Sequence, residues 1–261
     1  MISLCSVTLK SALPYLPIME EWIVNRTTLV KEVLWCKVDE EPSFYKEWTN
    51  NGITFKHFGP TVPPHKIHIT PGHQHAIGLH ACIDIATHDK LLLVDPDIFF
   101  YDTGVDKLWD ELMTKYDLDV IGASHYSATE LAMTFFPWNG CLLTKKHRLP
   151  DKEFLKGKLA IDGHYMLMDP VEGYTDIFPN PKGNFGTGVY LWFWAHEQNW
   201  KWLSFQTTDV FSYSTSYNRS NIKITDKIPK QKLIYHGVSG TIIPAEVFDR
   251  FKTKYEESSS A

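Results

Sequence analysis

No apolar run in this 261-residue chain approaches the roughly 20 residues that a membrane-spanning helix needs; stretches such as Leu91 to Val94 and Leu191 to Ala195 fall far short. Excess positive charge is absent too. A formal net charge of -5 and a pI near 6.2 argue against binding a phosphate backbone through overall charge. The one basic strip, Lys145-Lys146-His147-Arg148, reads as a solvated turn. Four cysteines (Cys5, Cys36, Cys82, Cys141) lie far apart with no C-x-x-C pair, which excludes a small disulfide scaffold and a ribbon-type zinc site. The start, Met1-Ile-Ser-Leu-Cys-Ser-Val, lacks a basic leader region and a small-residue cleavage pattern, so the expected location is cytoplasmic.

A conventional globular composition fills the rest: 43% hydrophobic, 22% charged and a mean hydropathy of -0.24. A chain of this length hides roughly 70–75% of its unfolded surface, enough for a full core. Aromatics reach 14% with nine tryptophans, a supply suited to core filling and to stacking on sugars or bases.

Ile2 to Leu9, Lys31 to Val38 and Ile53 to Phe58 read as strands, and Pro14 to Asn25 as a helix. Phe44 to Thr49 reads as a short helix before the turn signal Asn50-Asn51-Gly52. Gly72 to Thr87 has a helical apolar face. Lys90 to Val94 is the continuous apolar run of a strand buried on both sides. The alternation predicts an α/β fold with a mostly parallel central sheet flanked by helices. A helix over Val105 to Tyr116, strands near Asp119 to Ala123, Gly140 to Thr144 and Lys232 to Tyr235, and an aromatic helix from Val189 complete the second half. No linker divides the chain, so 1–261 is expected to be one domain: 1–104 on the nucleotide side, 105–255 on the acceptor side, and 256–261 a tail.

The sharpest chemical feature is Leu91-Leu-Leu-Val-Asp95-Pro96-Asp97, two carboxylates at the carboxyl end of a buried strand. Open α/β sheets place ligands at that edge. Two acids with a single spacer can share one hard divalent cation, which in turn can hold a diphosphate. Histidines crowd nearby at positions 65, 68, 73, 75, 80 and 88, but there is no H-E-x-x-H, and His73 and His75 point to different helix faces. His75, at the start of a helix, is placed instead to meet an anion such as diphosphate. Asn180 to Gly188 is glycine-rich before a helix, yet matches neither a G-x-G-x-x-G nor a Walker loop.

The order Gly72, helix, KLLLVDPD resembles nucleotide-sugar glycosyltransferases of the GT-A fold, most like glycosyltransferase family 2. The resemblance spans roughly residues 2–240 in element order and is specific over Gly72 to Phe100. It implies a transferase that moves a sugar from a nucleoside-diphosphate donor to a hydroxyl acceptor with Mn²⁺ or Mg²⁺ as cofactor. The acceptor could be a glycan, a glycoprotein, a lipid-linked sugar or a modified nucleobase. Implied metal ligands are Asp95, Asp97 and the late His236. Val7, Thr8 and Asp39 would meet the base, with Gly72, His75 and Asp95 completing the donor site. Trp138, Asn139 and Gly140 would line the sugar and acceptor site.

The chain departs from that pattern at one place. Inverting members present a catalytic Asp where this sequence has Gly186-Thr187-Gly188. Asp162 and Asp176 are the substitute candidates for the general base. Two alternatives stay open: a sugar-phosphate nucleotidyltransferase, disfavoured because Ser6 to Ala12 has no glycine, and a non-catalytic sugar- or nucleotide-binding protein of the same fold.

Overall fold

The structure is a computed structural model that describes residues 1–8, 16–38, 44–60, 71–96, 98–100, 102–124, 136–137, 140–149, 189–206, 218–225, 228, 233–235, 253 and 256. Eleven strands and four α-helices are described. The strands are β1 (Ile2–Thr8), β2 (Val30–Lys37), β3 (Tyr45–Asn50), β4 (Ile53–Phe58), β5 (Lys90–Val94), β6 (Ile98–Phe100), β7 (Val120–Ser124), β8 (Cys141–Lys145), β9 (Trp202–Gln206), β10 (Asn218–Ser220) and β11 (Leu233–Tyr235). The helices are α1 (Leu16–Arg26), α2 (Pro71–Ile85), α3 (Val105–Tyr116) and α4 (Val189–Glu197).

Nine strands form one sheet in the order β10-β9-β7-β8-β5-β1-β2-β4-β3, and β6 pairs with β11 in a separate ribbon. The expected parallel block is present as β5-β1-β2-β4, and β7 and β9 are also parallel. Antiparallel pairings at β3, β8 and β10 make the sheet mixed. Strands from both halves of the chain share it, joined where β5 meets β8.

Side-chain alternation with period two gives this sheet two apolar faces. Ile2, Leu4, Val33, Trp35, Phe55, Leu92 and Val94 pack under α1 and α3, which contribute Met19, Trp22, Ile23, Trp109 and Met113. Cys5, Val7, Leu34, Cys36, Leu91 and Leu93 pack on the other side under α2 and α4, against Leu79, Cys82 and Ala195. The result is three layers, helix–sheet–helix. All four cysteines are free and buried, as small apolar side chains in these faces.

The expected helix over Phe44 to Thr49 is a strand instead. Asn51 and Gly52 take φ values of 49° and 75°, the left-handed pair of a tight hairpin turn, so β3 folds back on β4. Trp48 alone of its neighbours points inward, stacking on Phe55 at 5.4 Å and 10°, while its Nε1 donates to Glu20. The exposed Tyr45, Lys46 and Glu47 carry no core signal because β3 is the sheet's edge.

Candidate functional site at the carboxyl edge of the parallel strands

Chain order locates the site before any side chain is considered. From β1 the chain moves one way, to β2 and β4; α2 then carries it back past β2 and β1 to β5 on the other side. Strand order therefore reverses between β1 and β5, and a crevice opens beyond their carboxyl ends at such a reversal. Thr8 ends one strand there and Val94 the other.

Helix α2 runs back across the sheet, so its first turn stands over this edge. Gly78 meets Val7 and Val38, Cys82 donates to the carbonyls of Ser6 and Leu34, and Thr87 reaches Glu32 at the opposite edge. Only a glycine permits the approach at residue 78: a Cβ there would lie 2.7 Å from Val7 Cγ1 and 2.8 Å from Val38 Cγ1. The close packing holds the beginning of α2, with its unpaired backbone N–H groups, beside the end of β5.

Asp95 and His75 meet at this point. His75 Nε2 lies 3.1 Å from Asp95 Oδ1, and both side chains are about a fifth exposed, at 22% and 21%. The backbone at Asp95 is fixed on both sides: its N–H donates to Gly140 O at 2.8 Å, and its carbonyl accepts from Ile98 N at 3.0 Å. The strand that follows is anchored deep in the core. Phe100 packs edge-on against Trp22 (5.5 Å) and Trp109 (5.2 Å), and Trp109 stacks on Phe205 at 5.8 Å. Each such ring contact contributes about 0.5–1.5 kcal/mol beyond its buried area. The segment between β5 and β6 is thus held at both ends.

Of the residues expected from sequence, the structure brings His75, Asp95 and Gly140 together and places Gly72 in the first turn of the same helix. Val7 and Thr8 end β1 but are buried; Thr8 Oγ1 donates to Cys36 O at 3.4 Å and lies 3.5 Å from His57 Nε2. Val7 faces α2 rather than the crevice. Asp39, Asp97, Trp138, Asn139, Asp162, Asp176 and His236 lie outside the described residues. In the β6–β11 ribbon Ile98 pairs with Tyr235, and these two are the sequence neighbours of Asp97 and His236.

His57 is an edge residue that sequence patterning passed over. Buried at the end of β4, it packs edge-on against Phe44 at 5.2 Å and Trp35 at 6.1 Å. Its one signal was its place on the inward side of Ile53-Thr-Phe55-Lys-His57, where an aliphatic residue is the usual choice.

Among the described residues no group of three His, Cys, Asp or Glu side chains could hold a metal ion. The donors present at the edge, one carboxylate and one imidazole, are of the kind Mn²⁺ or Mg²⁺ sites use, but Asp95 is the only described member of the expected ligand set.

No family model matches the chain, and no curated protein matches it. Solved structures similar to it are glycosyltransferases. Galactosyltransferase LgtC, in complex with donor and acceptor sugar analogs, aligns at 17% identity and a TM-score of 0.44 over 73% of this chain and 69% of that one. The apo form of glycosyltransferase GlyE of Streptococcus pneumoniae aligns at 14% and 0.41, over 75% and 43%. S. aureus TarS 1-349 with UDP-GlcNAc aligns at 13% and 0.39, over 63% and 51%. The chain thus spans about half the length of this TarS fragment. At these values the likeness describes shared layers and strand order, and assigns no role to any residue here.

Proposed function

We propose that this chain is a metal-dependent glycosyltransferase that moves a sugar from a nucleoside-diphosphate donor to a hydroxyl acceptor. One observation carries the reading: Asp95 stands at the carboxyl end of β5, at the reversal of strand order, within 3.1 Å of His75 from the first turn of α2. Carboxylate, imidazole and helix N-terminus converge on one edge, as a diphosphate with its cation requires. The Asp-Pro-Asp run and its resemblance to GT-A enzymes support the same reading.

In this reading Asp95, Asp97 and His236 hold the cation. The pairing of Ile98 with Tyr235 favours joining the last two, because Asp97 precedes one and His236 follows the other. A bound Mn²⁺ or Mg²⁺ would supply neutralising charge for the departing diphosphate. The N–H groups of α2 face the same anion. Thr8 and Asp39 lie on the base side, with Trp138, Asn139 and Gly140 toward sugar and acceptor. Asp162 or Asp176 takes the acceptor proton. A sheet built from both halves supports treating 1–261 as one working domain.

The test is thermal stabilisation by UDP, GDP, CDP, dTDP and ADP, each with and without Mn²⁺. Binding at 100 times Kd adds about 2.7 kcal/mol. At roughly 2–4 °C per kcal/mol for a chain of this size, Tm rises by roughly 5–10 °C. One nucleotide should act, only with Mn²⁺, and Asp97→Asn should abolish the shift. No shift with any nucleotide overturns the donor site, and a shift without transfer to any acceptor favours a non-catalytic binding protein.

A further inference from the structure

We propose that His75 is the positioning residue for Asp95, holding its carboxylate for the cation rather than touching cation or diphosphate itself. This rests on the reading of Asp95 as a cation ligand and deepens it. An ionised carboxylate only accepts hydrogen bonds, so the imidazole nitrogen 3.1 Å from Oδ1 carries the proton. A protonated Nε2 has no lone pair to offer a metal. The contact therefore makes His75 a donor to the ligand, not a ligand.

The surrounding geometry fits that role. Asp95 has its backbone fixed by Gly140 O and Ile98 N, which leaves side-chain rotation as its remaining freedom. His75 removes it. Its own position is set by α2, and α2 by the Gly78 contact with Val7 and Val38, so the imidazole stands on a rigid element. With Oδ1 occupied by His75, Asp95 presents its other oxygen to the cation. Hydrogen-bond partners of metal ligands commonly change metal affinity about 10–100-fold when removed.

Mn²⁺ binding to the full chain without nucleotide, read from the loss of the free-ion EPR signal, tests this directly. His75→Ala should weaken Mn²⁺ binding about 10–100-fold while the Tm of the metal-free protein stays close to wild type. His75→Gln, whose amide N–H replaces the donor, should recover most of the affinity. In an Asp95→Asn background, His75→Ala should have little further effect, because His75 acts through Asp95. Affinity unchanged in His75→Ala, with Asp95→Asn still weakened, overturns the role of His75 and leaves the transferase reading standing. Lost affinity in both His75→Ala and His75→Gln, with both folded, overturns it too, because a ligand role would then be indicated. Failure of the wild-type chain to bind Mn²⁺, or indifference to Asp95→Asn, overturns the cation site and this inference together. Should His75→Ala unfold, the Gln variant and the double mutant decide.

Discussion

Replacing Glu32 by Gln should destabilise the protein by about 3 kcal/mol at pH 7. The carboxylate is 3% exposed at the edge of the sheet opposite the candidate site. Its Oε2 accepts from Ser3 Oγ at 2.6 Å, Thr87 N at 2.9 Å and Thr87 Oγ1 at 3.1 Å, and Oε1 takes Lys56 Nζ at 2.7 Å. These contacts bind β1, β2, β4 and the turn after α2 into one knot. A glutamine has the same shape but one oxygen, so its NH₂ must face either the Thr87 N–H or the Lys56 ammonium, donor against donor. Losing one member of a buried pair costs about 3–5 kcal/mol; Lys56 keeps some contact with water, at 19% exposure, which places the estimate at the lower end.

The pH dependence follows from the same contacts. Burial pushes the Glu32 carboxyl up, but hydrogen bonds from Lys56, Ser3 and Thr87 outweigh it and hold the group below its ordinary value of 4.5. A depressed folded value means the stabilisation is complete above the unfolded value and is lost as pH falls through the folded one. Urea unfolding of wild type and variant at a series of pH values should show the full gap at pH 7 and a narrowing gap below about 4.5. A gap under about 0.5 kcal/mol at pH 7, or one that does not change with acid, would refute the reasoning.

Three other outcomes are expected. Asp106, fully buried in the first turn of α3, accepts from the N–H groups of Thr28, Leu29 and Val30; Asp106→Ala leaves those donors unsatisfied and should cost about 2–4 kcal/mol in urea unfolding. Gly78→Val must push α2 off Val7 and Val38, lowering stability by about 1–3 kcal/mol and weakening Mn²⁺ binding by moving His75, readable by Tm and EPR together. A thiol reagent at pH 8 should label none of the four buried cysteines in the native protein and all of them in urea, because burial pushes the thiols of Cys36, Cys82 and Cys141 up, away from the reactive thiolate.

Local pattern alone was enough for the elements with strong periodicity or a complete burial signal. The run Lys90-Leu-Leu-Leu-Val94 could be little else than a central strand, and Val105 to Tyr116 holds the bounds its helical spacing indicated. The carboxylates beyond β5 were legible for the same reason: the position of a buried parallel strand's end is written in the chain itself. Tyr45 to Asn50 was not legible, because an edge strand is half exposed and only its pairing with β4 distinguishes it from a short polar helix. The Asn51-Gly52 turn was the available signal.

Tertiary structure alone decided which distant residues meet. Nothing in the spacing of Glu32, Lys56, Ser3 and Thr87 foretells a four-contact knot, because the sheet order that gathers them comes from long-range strand pairing. His75 could be assigned to an anion from its place at a helix start, but not to Asp95, twenty residues on in the sequence. The partner depends on how closely α2 lies on β1 and β2, and that distance is set by the missing side chain at Gly78. Sequence determines each element by local pattern; the packing of helix on sheet determines which chemistry those elements share.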